Sequence, residues 1–107
     1  NLFAAFGYFA SVRGASNEAF LGAYQKAFGA SAPVPGAVAQ ANYEALYFLE
    51  ALVRRSGTLH LPSLTNSASN MVYRGARGPV GLRHRRAEMP IYFAEADGFD
   101  FKLLEKF

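Results

Sequence analysis

Cysteine is absent from the 107 residues, so neither a disulfide framework nor a thiolate metal site can form. Histidine is scarce. His60 and His84 lie 24 positions apart, outside any metal-binding spacing, and no cofactor or metal is expected. Charge is sparse too: 18% charged against 51% hydrophobic residues excludes a disordered chain. A long uninterrupted apolar run is also missing. The most apolar stretch, Ala37 to Val53, carries Gln40, Asn42, Glu44 and Glu50, which argues against a membrane span. The chain opens on Asn1 and an apolar run, Leu2 to Phe9, without a basic leader, and is read as a segment of a longer protein.

What is present has a definite order. Residues 2–9 read as a buried aromatic strand, stopped by the segment around Gly14. Ser16 as N-cap, Glu18 in the first turn and Gly29 beyond the end set a helix over 17–28, with Phe20, Leu21, Tyr24 and Phe28 on one face. A proline-containing loop leads to a longer helix over 37–55, closed by Gly57. Val38, Ala41, Ala45, Leu49 and Leu52 form its expected core stripe, widened by Tyr43, Leu46, Tyr47 and Phe48 until the helix is buried on more than one side. Pro62 opens a third helix over 62–73 with Leu61, Leu64, Ala68, Met71 and Val72 as its apolar stripe. From Gly75 the period falls to two. Val80, Leu82 and His84 then share one face of a strand, and Arg83 and Arg85 the other. After Pro90 comes a strand at Ile91 to Ala96, a type I′ turn at Asp97-Gly98, and a returning strand with Phe99, Phe101 and Leu103 on one face. One strand, three helices and a terminal set of strands do not close into a self-sufficient layered domain.

Catalytic patterns are missing. No Gly-x-Ser-x-Gly elbow, phosphate loop or dinucleotide fingerprint occurs, and Glu44 and Glu50 do not share a helix face. The charge is unevenly placed. Arg74, Arg77, Arg83, Arg85 and Arg86 fall within 74–86 with no acid among them, leaving six bases against eight acids elsewhere. A nucleic-acid-binding module would use these arginines with Tyr73 and Tyr92 beside them. No recognition motif accompanies them, so a solvated strand edge is the preferred reading and nucleic acid is not expected as a partner.

The order of the motifs resembles a family. Phe6-Gly7-Tyr8-Phe9, then Ser16-Asn17-Glu18-Ala19-Phe20 and Ala23-Tyr24, is similar to a segment of the type I periplasmic ligand-binding proteins, in their branched-chain amino acid, urea and short-chain amide-binding branch. Ala39-Gln40-Ala41-Asn42-Tyr43-Glu44-Ala45 resembles the next helix of that branch. Gly78-Pro79-Val80, Ile91 to Ala96 and Asp97-Gly98-Phe99 resemble its terminal hairpin; the compact arginine-rich Leu82–Pro90 connection departs from it.

The resemblance implies an α/β fold: a C-terminal fragment, 1–107, of a two-lobed, doubly wound protein. Residues 1–73 would supply a strand and helices and 74–107 an arginine-rich strand and hairpin, with parts of both lobes present. It implies reversible binding of an amino acid, urea or amide, without catalysis, and delivery to an ABC permease from the periplasm. A cytoplasmic amide-sensing regulator of amidase expression, acting on a partner protein, is the alternative. Tyr8, on the crossing strand, and Tyr43 are the candidate ligand-lining residues. The fragment alone is expected to self-associate through its apolar faces.

Overall fold

A computed structural model describes residues 1–107 throughout. Its elements run β1 (Phe3–Phe6), α1 (Ala15–Phe28), α2 (Ala37–Ser56), α3 (Leu61–Ala68), β2 (Val72–Gly75), β3 (Gly78–Arg83), β4 (Arg86–Glu88), β5 (Tyr92–Asp97) and β6 (Asp100–Lys106). Two antiparallel three-stranded sheets result, ordered β1-β5-β6 and β2-β3-β4. The first joins the two ends of the chain, because Phe3 to Phe6 pair with Glu95 to Tyr92. Its core is Phe9, Val12, Tyr92 and Ala94, with Phe101 and Leu103 packed alongside. A smaller core of Tyr8, Phe20 and Ala76 links α1 to the β2–β3 turn.

Glycines punctuate the helices as expected. Gly29 and Gly57 end α1 and α2 at positive φ (88° and 72°), each returning its N–H to a carbonyl of the last turn. Other expectations are corrected. Ser16 is not the N-cap of α1; Gly14 is, and no side chain caps that end. The first strand stops at Phe6, and burial falls after it, on Tyr8 and Phe9, while Phe3 and Phe6 are exposed. The third helix ends at Ala68, since Asn70 turns left-handed (φ 57°) and Val72–Gly75 pair with Gly81–Gly78 as a strand. The β-branched and aromatic pair Val72-Tyr73 suits that pleated surface better than a helix end.

His84 and Arg85 are not strand residues. They form the two-residue β3–β4 turn, both at positive φ (49° and 64°), so the alternation of Arg83 with Arg85 on one strand face does not exist. At the last hairpin the turn residues are Gly98 and Phe99, because Asp97 pairs with Asp100. Only Gly98 takes a positive φ (63°), as a type II′ rather than a type I′ turn requires. Phe99 therefore stands at the tip, fully exposed, and shares no strand face with Phe101 and Leu103.

The largest correction concerns α2. Part of its expected apolar stripe faces outward: Val38 is 77% and Leu49 49% exposed, while Ala41 and Leu52 are half-buried. The buried residues are Gln40 and Glu44. Much of the helix surface is left without a neighbour, and the whole chain behaves alike. It exposes 7535 Å², against about 5,800 Å² for a monomeric protein of this mass. Its radius of gyration is 15.4 Å, against about 13 Å for a compact chain of this length. The surplus area is about twice the roughly 800 Å² that one partner contributes to a standard protein–protein interface.

Candidate functional site

Two cavities meet the small core around Phe20. The first, of about 270 Å³, lies between α1, α2 and the β2–β3 turn. Phe20, Tyr43, Tyr47 and Tyr73 supply its rings, and Gln40, Glu44 and Arg74 its polar groups. The second, of about 450 Å³, lies beyond the end of β1, against the first turn of α2 and the tip of the last hairpin. It is lined mainly by apolar side chains, among them Phe6, Tyr8, Phe9, Val34, Val38 and Phe101.

Tyr43 borders the first cavity and Tyr8 the second. They do not share a cavity, but one ring joins them. Phe20 meets Tyr8 edge-on at 6.0 Å between centroids and Tyr43 at 5.0 Å. Tyr43 in turn packs on Tyr47 at 4.8 Å. Tyr8 is almost fully buried, and its hydroxyl donates to Asn17 Oδ1 at 2.9 Å. Burial pushes its phenol up to about 12. Asn17 Nδ2 donates to the carbonyls of Ala10 and Val12, so one side chain holds the whole 8–12 segment against α1. Reading the sequence assigns Asn17 no role of its own; its buried position in the first turn, beside a tyrosine nine residues earlier, emerges only in three dimensions.

The wall of the first cavity is an ionic network that sequence spacing does not reveal. Arg77 lies in the two-residue β2–β3 turn, between paired Gly75 and Gly78. Expected among the solvated arginines of 74–86, it is buried instead. Arg77 Nε donates to Gln40 Oε1 at 2.9 Å and sits 3.0 Å from Glu44 Oε1. Gln40 Nε2 donates to Glu44 Oε2 at 2.8 Å, and Arg77 Nη1 approaches Met89 Sδ at 3.0 Å. The Tyr92 hydroxyl donates to the Arg77 carbonyl at 2.6 Å. Arg77 therefore ties α2 and the β2–β3–β4 sheet to the segment entering β5. Burial, then the Glu44 charge, raises the Tyr73 phenol beside it.

Two glycines make room for this network. A methyl on Gly75 would collide with the Glu44 carboxylate, and one on Gly7 would lie 3.2 Å from Met89 Sδ and 3.3 Å from Arg77 Nη1. Every polar atom buried in side chains has a partner, so Glu44 is committed to Arg77 and Gln40. No cluster of three or more potential metal ligands occurs. What the cavities offer is aromatic surface with few polar groups, which suits binding.

Comparison with curated proteins finds no match. Among solved structures, a solute-binding protein of an ABC transporter from Rhodopseudomonas palustris BisB5, in complex with 3,4-dihydroxybenzoic acid, superposes with a TM-score of 0.85 at 25% identity. The likeness covers 99% of this chain and 30% of that one. A second R. palustris solute-binding protein, in complex with benzoate, matches at TM-score 0.83 and 20% identity over 98% of this chain and 29% of its own. A branched-chain amino acid transporter protein from R. palustris CGA009 matches at 0.81 and 16%, over 98% and 30%. The chain thus spans about a third of the length of these structures and shares their fold. Its sequence matches the profile described as periplasmic binding protein over residues 1–100, and the chain belongs to that family, in its type I branch.

Proposed function

We propose that these residues form the C-terminal part of the solute-binding component of an ABC transporter. The parts of both lobes would be present: the helices with the β2–β3–β4 sheet in one, the outer end of the β5–β6 hairpin in the other, and β1 and β5 crossing between them. The solute is bound reversibly as the lobes close, with no bond made or broken, and is released to a permease from the periplasm. The observation that carries this reading is the superposition of 99% of the chain on a solute-binding protein at 25% identity.

An amino acid, urea or short-chain amide is the ligand class that the branch resemblance implies. Two features widen it to small acids with an apolar body. The cavity beside Tyr8 is lined largely by hydrocarbon, and two of the similar structures hold benzoates. Tyr8 would contribute its ring, its hydroxyl being held by Asn17, and Tyr43 would border the cleft from α2. A thermal-shift screen of leucine, acetamide, urea, benzoate and 3,4-dihydroxybenzoate against the full-length protein tests this, because a ligand that binds only the native state raises its melting temperature. A shift with at least one compound is expected; none with any of them would refute the reading.

A further inference from the structure

Two connections carry the chain between its two sheets. β1 ends at Phe6 opposite Tyr92, where β5 begins, so the chain leaves the β1-β5-β6 sheet and re-enters it side by side. The three helices and the β2-β3-β4 sheet hang from segments 7–14 and 89–91. Neighbouring side chains of the first segment enter different cores. Tyr8 packs with Phe20 and Ala76 of the helical body, and Phe9 with Val12, Tyr92 and Ala94 of the sheet. Adjacent connections between separately packed bodies are the layout of a hinge. We propose that Arg77 is the pin of this hinge, a positioning residue that sets the aperture of the solute cavity without lining it.

The cavity beside Tyr8 is built across the joint. Val34 and Val38, on the helical side, form one wall, and Phe101 of the last hairpin the other. Phe6, Tyr8 and Phe9 lie between them. Its width therefore depends on the angle at which the connections leave the sheet. Arg77 fixes that angle from the helical side. Its Nε is held by Gln40 and Glu44, at 2.9 and 3.0 Å, on the same helix whose first turn walls the cavity.

The rest of the residue serves the connections. Nη1 donates to Met89 Sδ at 3.0 Å, and the backbone carbonyl accepts from the Tyr92 hydroxyl at 2.6 Å. The first connection presses on the same group: a Cβ on Gly7 would lie 3.3 Å from Nη1 and 3.2 Å from Met89 Sδ. One buried guanidinium thus borders both connections, and bending at either must break or re-aim its contacts. Gln40 and Glu44 alone would satisfy an ion pair that served stability only; Met89 and Tyr92 add nothing to its neutralisation. Hinge positions of this kind act at a distance from the bound molecule.

The inference rests on the reading that the solute is bound as two lobes close, and its test uses no solute. In the full-length protein, nitroxide labels at Arg55→Cys, in the last turn of α2, and Lys102→Cys, on β6, report the separation of the two bodies by double electron–electron resonance. Tyr92→Phe removes the hydroxyl bond to Arg77 and keeps the ring. Met89→Leu removes the sulfur acceptor and keeps the bulk. Each should widen the distance distribution by several ångströms. Tyr24→Phe is the matched control, because its hydroxyl also donates to a backbone carbonyl, that of Pro33 at 2.9 Å, but within the helical body alone. It should leave the distribution unchanged. A merely structural role for Arg77 would lower the melting temperature of Tyr92→Phe with the distances kept. The proposal is overturned if either folded variant keeps the parent's distribution, or if Tyr24→Phe widens it as much. Failure of the solute reading shows elsewhere, as a parent whose melting temperature moves with none of the screened compounds.

Discussion

Removing one member of the Arg77–Glu44 pair should be far more damaging than removing both. In Arg77→Met the side chain keeps its length, but the Glu44 carboxylate, 8% exposed, loses the guanidinium at 3.0 Å. Only the Gln40 amide remains to solvate it. Stranding a buried charge in this way costs about 3–5 kcal/mol. Against the total stability of about 5–15 kcal/mol of an ordinary folded protein, that is a large loss. Glu44→Gln strands the guanidinium and should cost a similar amount. The double variant Glu44→Gln/Arg77→Met leaves no buried charge, and the Gln40 amide gains an amide neighbour. It should return to within about 1–2 kcal/mol of the parent. The exposed Arg54–Glu50 pair is the internal control, with an expected cost of about 0.3–0.5 kcal/mol. Urea unfolding of the full-length protein followed by far-UV circular dichroism measures all four variants, with unchanged slopes confirming that only stability moves. Single losses below about 1 kcal/mol, or a double variant as poor as the sum of the singles, would refute the network.

Three further outcomes follow from the same packing. Gly75→Ala drives a methyl into the held Glu44 carboxylate and should cost about 1–3 kcal/mol, whereas Gly22→Ala, exposed inside α1 with nothing within 4 Å, should stabilise by about 0.5–1 kcal/mol; the opposite ranking in urea would contradict the packing. Burial raises the Tyr8 phenol from 10.0 to about 12 and raises Tyr92 as well, so the native state favours the neutral phenols. Their stabilising effect is complete below the unfolded pKa of 10 and disappears as pH rises through the folded value, so stability should fall between pH 10 and 12 together with tyrosinate absorbance; a stability curve flat across that window would refute the burial of Tyr8. The chain on its own should self-associate through faces such as Leu46, and Leu46→Lys should shift sedimentation toward monomer; a parent monomeric at high concentration would show that this surface needs no cover.

The fold was legible wherever one residue decides the geometry. Gly29 and Gly57 end helices because they alone tolerate positive φ without cost, and Pro62 opens α3 because its missing N–H is not needed there. Pattern failed where a distant residue decides. Part of the stripe of α2 expected as its core is exposed, and the residues that turn inward are Glu44 and Gln40, which meet Arg77, 33 positions beyond Glu44. No periodicity in α2 carries that information. The β2 and β4 strands were missed for a related reason. Each is only three or four residues long and exists through its pairing with β3. The site was less legible than the fold. Tyr43 and Tyr8 do border cavities, but Asn17 and Arg77, which hold the surrounding segments, read locally as a helix residue and a surface charge.

The most direct test of the account is calorimetric titration of the full-length protein with the solute that most raises its melting temperature, followed by recovery of that solute. Saturable one-to-one binding, with the compound returned chemically unchanged, is the predicted result. An absence of saturable heat for every amino acid, amide and aromatic acid tried, or conversion of the compound during incubation, would contradict it.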